Sequence, residues 1–143
     1  MKLLAFLSHK LGFLKRILLL PHLLDAFLIV LTALARPSVS RRIAALIREL
    51  ETWPSVSEGA HRFGGIQFDR DGRELGHVHG NGVVDVRLPR SVRNEVVSLG
   101  KALPHHTFPD SGWVTLPLLT DSDLEVAIEL FRRSSRSVPA PEI

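Results

Sequence analysis

The feature that most restricts how this chain folds is Asp71-Gly72, set between two alternating runs, Ile66-Gln67-Phe68-Asp69-Arg70 and Arg73-Glu74-Leu75-Gly76-His77-Val78-His79. Asp-Gly between such runs is the strongest short-range signal for a type I′ hairpin, because both central residues of that turn take positive φ. A two-residue turn sets the register: Arg70 faces Arg73, Phe68 faces Leu75 and Ile66 faces His77. On that register His77 and His79 share the apolar face with Phe68, and Glu74 points the other way into solvent. Two residues apart at a rise of ~3.3 Å each, the two imidazoles stand close enough to hold one ligand between them.

Gly80-Asn81-Gly82 signals a second turn, followed by the alternating strand Val83 to Leu88, which Pro89 stops. If all three residues form the loop, Asp85 stands beside His77. If Asn81-Gly82 alone forms the turn, Asp85 points away, and the pattern leaves both parities open. The rest of the chain supplies helices and one more strand. Ser38 or Ser40 is a candidate N-cap for a helix carrying Ile43, Leu46, Ile47 and Leu50, ended by Trp53-Pro54. A turn or short helix is expected over 55–62. Ser91 to Leu99 reads as a helix with Gly100 just past its end, 101–112 as a loop, and Trp113 to Leu118 as a strand. Thr120 with Asp123 three residues on starts a last helix striped by Leu124, Ala127, Ile128 and Phe131, and the chain after Ser134 is expected to fray. A meander followed by helices predicts an α+β fold. The expectation is an antiparallel sheet of about four strands, a three-stranded meander plus one, with helices packed on one face.

With 143 residues the chain holds one domain and an appendage. It has no cysteine, which excludes disulfides and thiolate metal sites. Residues 1–42 carry seven Lys and Arg against Asp25 alone, whereas the remainder carries more acid than base. A nucleic-acid-binding domain concentrates positive charge on its folded body, so this distribution argues against nucleic acid and for an anionic membrane surface. The division expected is an apolar, basic helical arm over 1–37 and a domain over 38–143.

In the arm, Lys2, His9 and Arg16 recur every seven residues among leucines, the mark of a basic amphipathic helix. Pro21 is expected to break or kink it before the apolar run from Leu23 to Ala35. About a dozen apolar side chains at roughly −0.3 to −0.6 kcal/mol each are largely offset by Asp25 at about +2.5 to +3.5 kcal/mol, so insertion across a bilayer is near neutral. Three readings compete: a membrane-anchoring helix, a helical hairpin packed on the body or a partner copy in a homo-oligomer, and a cleavable signal ending at Ala33-Leu34-Ala35.

Five of the seven histidines lie in the body, four of them in the pairs His77/His79 and His105/His106. Imidazoles oriented by a carboxylate such as Asp85 form a general base tuned near neutral pH, and Phe68, Phe108 and Trp113 are candidates for the apolar walls of its pocket, with Arg62 as an anion clamp. The same residues also suit a metal: His77, His79 and one of His105 or His106, His106 in the first choice, with Asp85 completing a mononuclear site. Core packing accounts for Trp113 as well, and Arg62-Phe63-Gly64-Gly65 is either a bulged strand entry or a place where a ligand approaches the backbone.

Taken in order, Arg62-Phe63-Gly64-Gly65, Glu74 to His79, Val84-Asp85-Val86, His105-His106, Pro109 to Trp113 and the helix from Asp121 to Phe131 resemble the luciferase-domain family, named for the fungal luciferases, over about residues 53 to 134. The resemblance implies an oxygenase that adds O₂ as co-substrate to a small enolic or aromatic compound, a 3-hydroxy-2-pyranone of the 3-hydroxyhispidin type, with loss of CO₂ and no organic cofactor. It also implies membrane association through the apolar N-terminal segment. The chain is shorter than a fungal luciferase and lacks Tyr. A non-catalytic module binding a small ligand or a metal is the rival reading.

Overall fold

The computed structural model describes residues 2–138, with side chains from Leu19 onward. The basic stripe of Lys2, His9 and Arg16 and the tail from 139 lie outside what is described. Helix α1 spans Lys2–Ala35 and α2 spans Pro37–Glu51. Strands β1 (Val56–Ala60), β2 (Ile66–Arg70), β3 (Arg73–Val78) and β4 (Val83–Arg87) follow, then α3 (Arg90–Ser98), β5 (Leu103–Pro104), β6 (Trp113–Pro117) and α4 (Asp121–Ser137). The sheet is antiparallel with strand order β1-β2-β3-β4-β6-β5. The fold is thus α+β as expected, with six strands instead of about four. The two additions are β1, in the stretch read as a turn, and the two-residue β5, within the stretch read as a loop. Neither Ser57-Glu58-Gly59-Ala60 nor Leu103-Pro104 has the β-branched alternation that marks a strand; each is recruited by pairing at an edge of the sheet.

Asp71 and Gly72 take φ of 51° and 73°, as the I′ turn requires. Arg70 does face Arg73, but a bulge then shifts the ladder: Asp69 pairs with Glu74, Phe68 with Gly76, Gln67 with His77 and Ile66 with Val78. Leu75 is the extra residue. One inserted residue reverses the side on which everything beyond it falls. Phe68 and Val78 therefore face the helices, and His77 faces away from them.

The core lies between the sheet and α2 and α4. Leu46 and Leu50 of α2 and Ala127, Leu130 and Phe131 of α4 pack on Phe68, Leu75, Val84, Val86 and Val114, all fully or almost fully buried. The Phe68 and Phe131 rings meet edge to face at 5.7 Å. Thr120 and Asp123 make the expected capping box. Helix α2, by contrast, starts at Pro37, whose fixed φ and missing N–H suit the first helical position, and no serine side chain caps it. Helix α4 does not fray at Ser134: the Ser134 hydroxyl donates to the Leu75 carbonyl, and Arg70 donates to Ser135, so both serines are buried and bonded.

Helix α1 runs on through Pro21. It crosses the ends of the β1–β2 and β3–β4 connections, where only glycine fits: a Cβ on Gly64 would lie 2.8 Å from the Pro21 carbonyl oxygen, and one on Gly80 2.5 Å from the Ile29 side chain. Asp25 Oδ1 accepts the Gly80 N–H at 2.8 Å. What approaches the backbone closely at Gly64 is therefore this helix. The other side of α1 leaves Leu20, Leu23, Phe27, Val30 and Leu34 exposed. Among the described residues no helix is long and apolar enough to cross a membrane.

Candidate functional site

On the face of the sheet opposite α2 and α4, one rung runs across four strands. Gln67 pairs with His77, His77 with Asp85 and Asp85 with Thr115. The loop at Gly80-Asn81-Gly82 has three residues, since His79 N–H donates to the Val83 carbonyl at 2.8 Å and Gly82 N–H to the His79 carbonyl at 2.9 Å. Of the two parities open in the sequence, the one that places Asp85 beside His77 is the one adopted.

Asp85 is the hub. It is 1% exposed, and its Oδ1 accepts the Thr115 hydroxyl. Three imidazoles reach it: His77 Nε2 and His79 Nε2 lie 3.4 and 3.5 Å from Oδ2, and His105 Nε2 lies 3.8 Å from Oδ1. His77 is also held from its other side, where Nδ1 donates to Glu74 Oε1 at 2.7 Å. Glu74 is not the solvated residue that simple alternation suggests. Residues 74 and 77 are an odd number apart, and the bulge at Leu75 brings them to one face.

The fifth body histidine completes the cluster. His61, in the turn before β2, stacks on His77 with ring centroids 3.8 Å apart and a 12° angle between planes. Its Nδ1 donates to the Gly64 carbonyl at 3.3 Å, which leaves an Nε2 lone pair, 3.8 Å from Glu74 Oε1. The residue-level signal for His61 was its place beside Arg62-Phe63-Gly64-Gly65; as a lone histidine it gave none of the spacing that marked the pairs.

These neighbours separate the charges. Burial alone pushes the Asp85 carboxyl up, but the contacts from His77, His79 and Thr115 outweigh it and hold the group well below the usual carboxylate range. Burial also opposes charge on His77, yet Asp85 and Glu74 together raise it to about 8, so at neutral pH this ring is an imidazolium between two carboxylates. Burial, and then the His77 charge, lower His61, which stays neutral. His105 is lowered as well, by burial first. Its Nδ1 accepts the N–H groups of Thr107 and Phe108 at 3.1 and 3.2 Å, so the neutral ring carries its proton on Nε2, toward Asp85.

The cluster forms the floor of a cavity of about 810 Å³, within the range that takes a small-molecule ligand. Phe63, Phe108 and Trp113 wall it, Trp113 with its ring 5.6 Å from His77, and Arg62 lies at the rim with its guanidinium over the Phe63 ring. Of the residues named from the sequence, His77, His79, Asp85, His105, His106, Phe108, Trp113 and Arg62 all line this space. Phe68 does not, because the bulge turns it into the core. His106 is exposed and stacks on His105 with centroids 4.6 Å apart. Among the described residues the groups whose spacing suits a metal are His61, Glu74, His77 and His77, His79, Asp85, so His106 is not the third donor that the sequence suggested.

Residues 72–134 match the family model described as Luciferase domain. Over this segment the chain is similar to the luciferase-domain family. No curated protein and no solved structure matches the chain. The matched segment runs from the β2–β3 turn into α4 and holds Glu74, His77, His79, Asp85, His105, His106 and Trp113. His61, Arg62 and Phe63 lie before it and complete the cavity wall.

Proposed function

We propose that this luciferase-like domain oxidises a small enolic compound of the 3-hydroxy-2-pyranone type, with O₂ as co-substrate and no organic cofactor. The observation that carries the reading is the geometry of His77, clamped between Glu74 and Asp85 and stacked on His61, on the floor of an aromatic-walled cavity. The substrate hydroxyl gives its proton to a neutral imidazole, for which His61 offers the Nε2 lone pair. The electron pair stays on the substrate as an enolate, stabilised beside His77. The enolate carbon then forms a bond to O₂, which is reduced to a peroxide, and the peroxide breaks down with loss of CO₂. Neutral His61 and charged His77 divide the work between base and electrostatic stabiliser, as groups whose environments push their pKa values apart commonly do.

Membrane association belongs to the same reading. The apolar side chains exposed on α1 and the basic excess of residues 1–42 suit an anionic lipid surface. A second cavity of about 430 Å³, lined by Pro21, Leu24 and Leu28 of α1, shares Phe63, His79, Asp85 and His106 with the first and offers a lipophilic compound a path from that surface.

O₂ uptake by the purified full chain with a panel of 3-hydroxy-2-pyranones tests the proposal. Turnover is expected with at least one of them, and His77→Gln should lower kcat by about 10²-fold or more. Uptake no faster in the wild type than in His77→Gln across the panel would refute the enzymatic reading. Co-sedimentation with anionic vesicles, retained by the full chain and lost at high salt, tests the surface.

A further inference from the structure

We infer that the Asp85 hub is a binding site for one divalent first-row transition-metal cation, with His77 Nε2, His79 Nε2 and Asp85 as ligands. The donor atoms lie within 4.8 Å of one another. The argument starts from contact lengths. A buried carboxylate meeting imidazole N–H donors alone draws them to about 2.7–2.9 Å, yet the His77 and His79 nitrogens stand 3.4 and 3.5 Å from Oδ2. Ligands bound at ~2.0–2.1 Å in a tetrahedral shell lie about 3.3–3.4 Å from each other. Both N–O spacings therefore suit a shared ion, which on binding displaces the Nε2 proton of His77 and takes over the positive charge that the imidazolium carries in the metal-free protein.

Three further observations support the choice of donors. The other nitrogen of His77 donates to Glu74 at 2.7 Å, the carboxylate–histidine–metal relay that fixes which ring nitrogen carries the lone pair. The Thr115 hydroxyl holds Asp85 Oδ1, leaving Oδ2 to the two histidines. His105 is not a ligand, because its Nδ1 accepts two backbone N–H groups and its Nε2 is thus the protonated atom. The alternative cluster of His61, Glu74 and His77 is ruled out as the ion's place by that same 2.7 Å contact, which holds a proton and is too short for the edge of a tetrahedral shell.

Two histidines and one carboxylate leave the remaining coordination positions facing the cavity, an arrangement that suits Fe²⁺ and its neighbours. The vicinal hydroxyl and carbonyl oxygens of a 3-hydroxy-2-pyranone form a bidentate donor set for those positions. This part of the inference rests on the proposed function; the binding of the ion does not.

Titration of the full chain with Co²⁺ tests the site without relying on turnover. One equivalent should bind with the visible bands of protein-bound Co²⁺, and the bands should shift when a 3-hydroxy-2-pyranone is added. His79→Ala, just past the end of β3, and Asp85→Asn should each weaken binding at least 10-fold, and Glu74→Gln about 10-fold, whereas His106→Ala should leave it within ~3-fold. Absence of binding in the wild type, or equal binding in His79→Ala and Asp85→Asn proteins that retain native far-UV circular dichroism, would overturn the site. Co²⁺ binding without O₂ uptake by any metal-loaded form would sink the oxygenase reading and leave the metal site. O₂ uptake unchanged after chelation, with no Co²⁺ bound, would do the reverse.

Discussion

The two faces of the sheet are built from the same strands and could hardly differ more. Val84 and Val86 point into a dry core against α2 and α4, while Asp85 between them points into the histidine cavity; Val114 and Leu116 flank Thr115 in the same way. Strand alternation makes this possible, since adjacent residues belong to opposite sides. The covered face spends its residues on close packing. The other face gathers charge that burial alone would expel, and keeps it by giving each charged group a partner. Stability and chemistry are therefore separable by substitution along a single strand.

The largest expected effect lies on the covered side. Phe131→Ala removes a fully buried ring that meets Phe68 and should cost about 3–5 kcal/mol of unfolding free energy, read by denaturant titration. Turnover per folded molecule should change little, and a collapse of kcat in the folded fraction would break the separation. Next comes Asp85→Asn, nearly isosteric, which should lower kcat for O₂ uptake by about 10²-fold. A loss below threefold would remove Asp85 from the chemistry.

A third test is the pH dependence of stability in the metal-free protein. His77 is raised to about 8 in the folded state from an ordinary value of 6.5. Its contribution, on the order of 2 kcal/mol, should thus be fully present below pH ~6.5 and lost as pH rises through about 8. Asp85, held low, has the opposite sign: its contribution is present above the ordinary aspartate range and lost as the solution turns strongly acid. The alkaline loss should vanish in His77→Gln. The smallest effect is Thr120→Ala, which deletes the N-cap of α4 at a cost of about 1 kcal/mol and should leave O₂ uptake unaltered. A fall in uptake there would mean that α4 reaches across the sheet.

Much of this contrast was legible in the residues. The Asp71-Gly72 turn, the meander, the Thr120 capping box and the shared face of His77 and His79 follow from local rules of turns, caps and alternation, whereas Asp85 joins them only because the loop at Gly80-Asn81-Gly82 takes three residues, a parity the pattern left open, and His105 only through the tertiary fold. What escaped those rules depends on context. Alternation cannot reveal Leu75 as an extra residue, so Phe68 was placed on the wrong face and Glu74 was dismissed. A lone His61 has no spacing to mark it. Strand β1 has poor intrinsic propensity and exists only because β2 lies beside it. Asp25, counted as an obstacle to bilayer insertion, accepts the N–H of Gly80 once α1 is docked, a contact between residues 55 positions apart.

The additional residue at Leu75 works like a frameshift in the strand's two-letter in-and-out code. Without it, acid and histidine would sit on opposite pages; with it they are read together, so that a Glu-x-x-His spacing normally associated with a helix becomes a bonded pair on a strand. Shortening β3 by that one residue would leave the composition of the cavity almost intact while scrambling which groups can speak to one another.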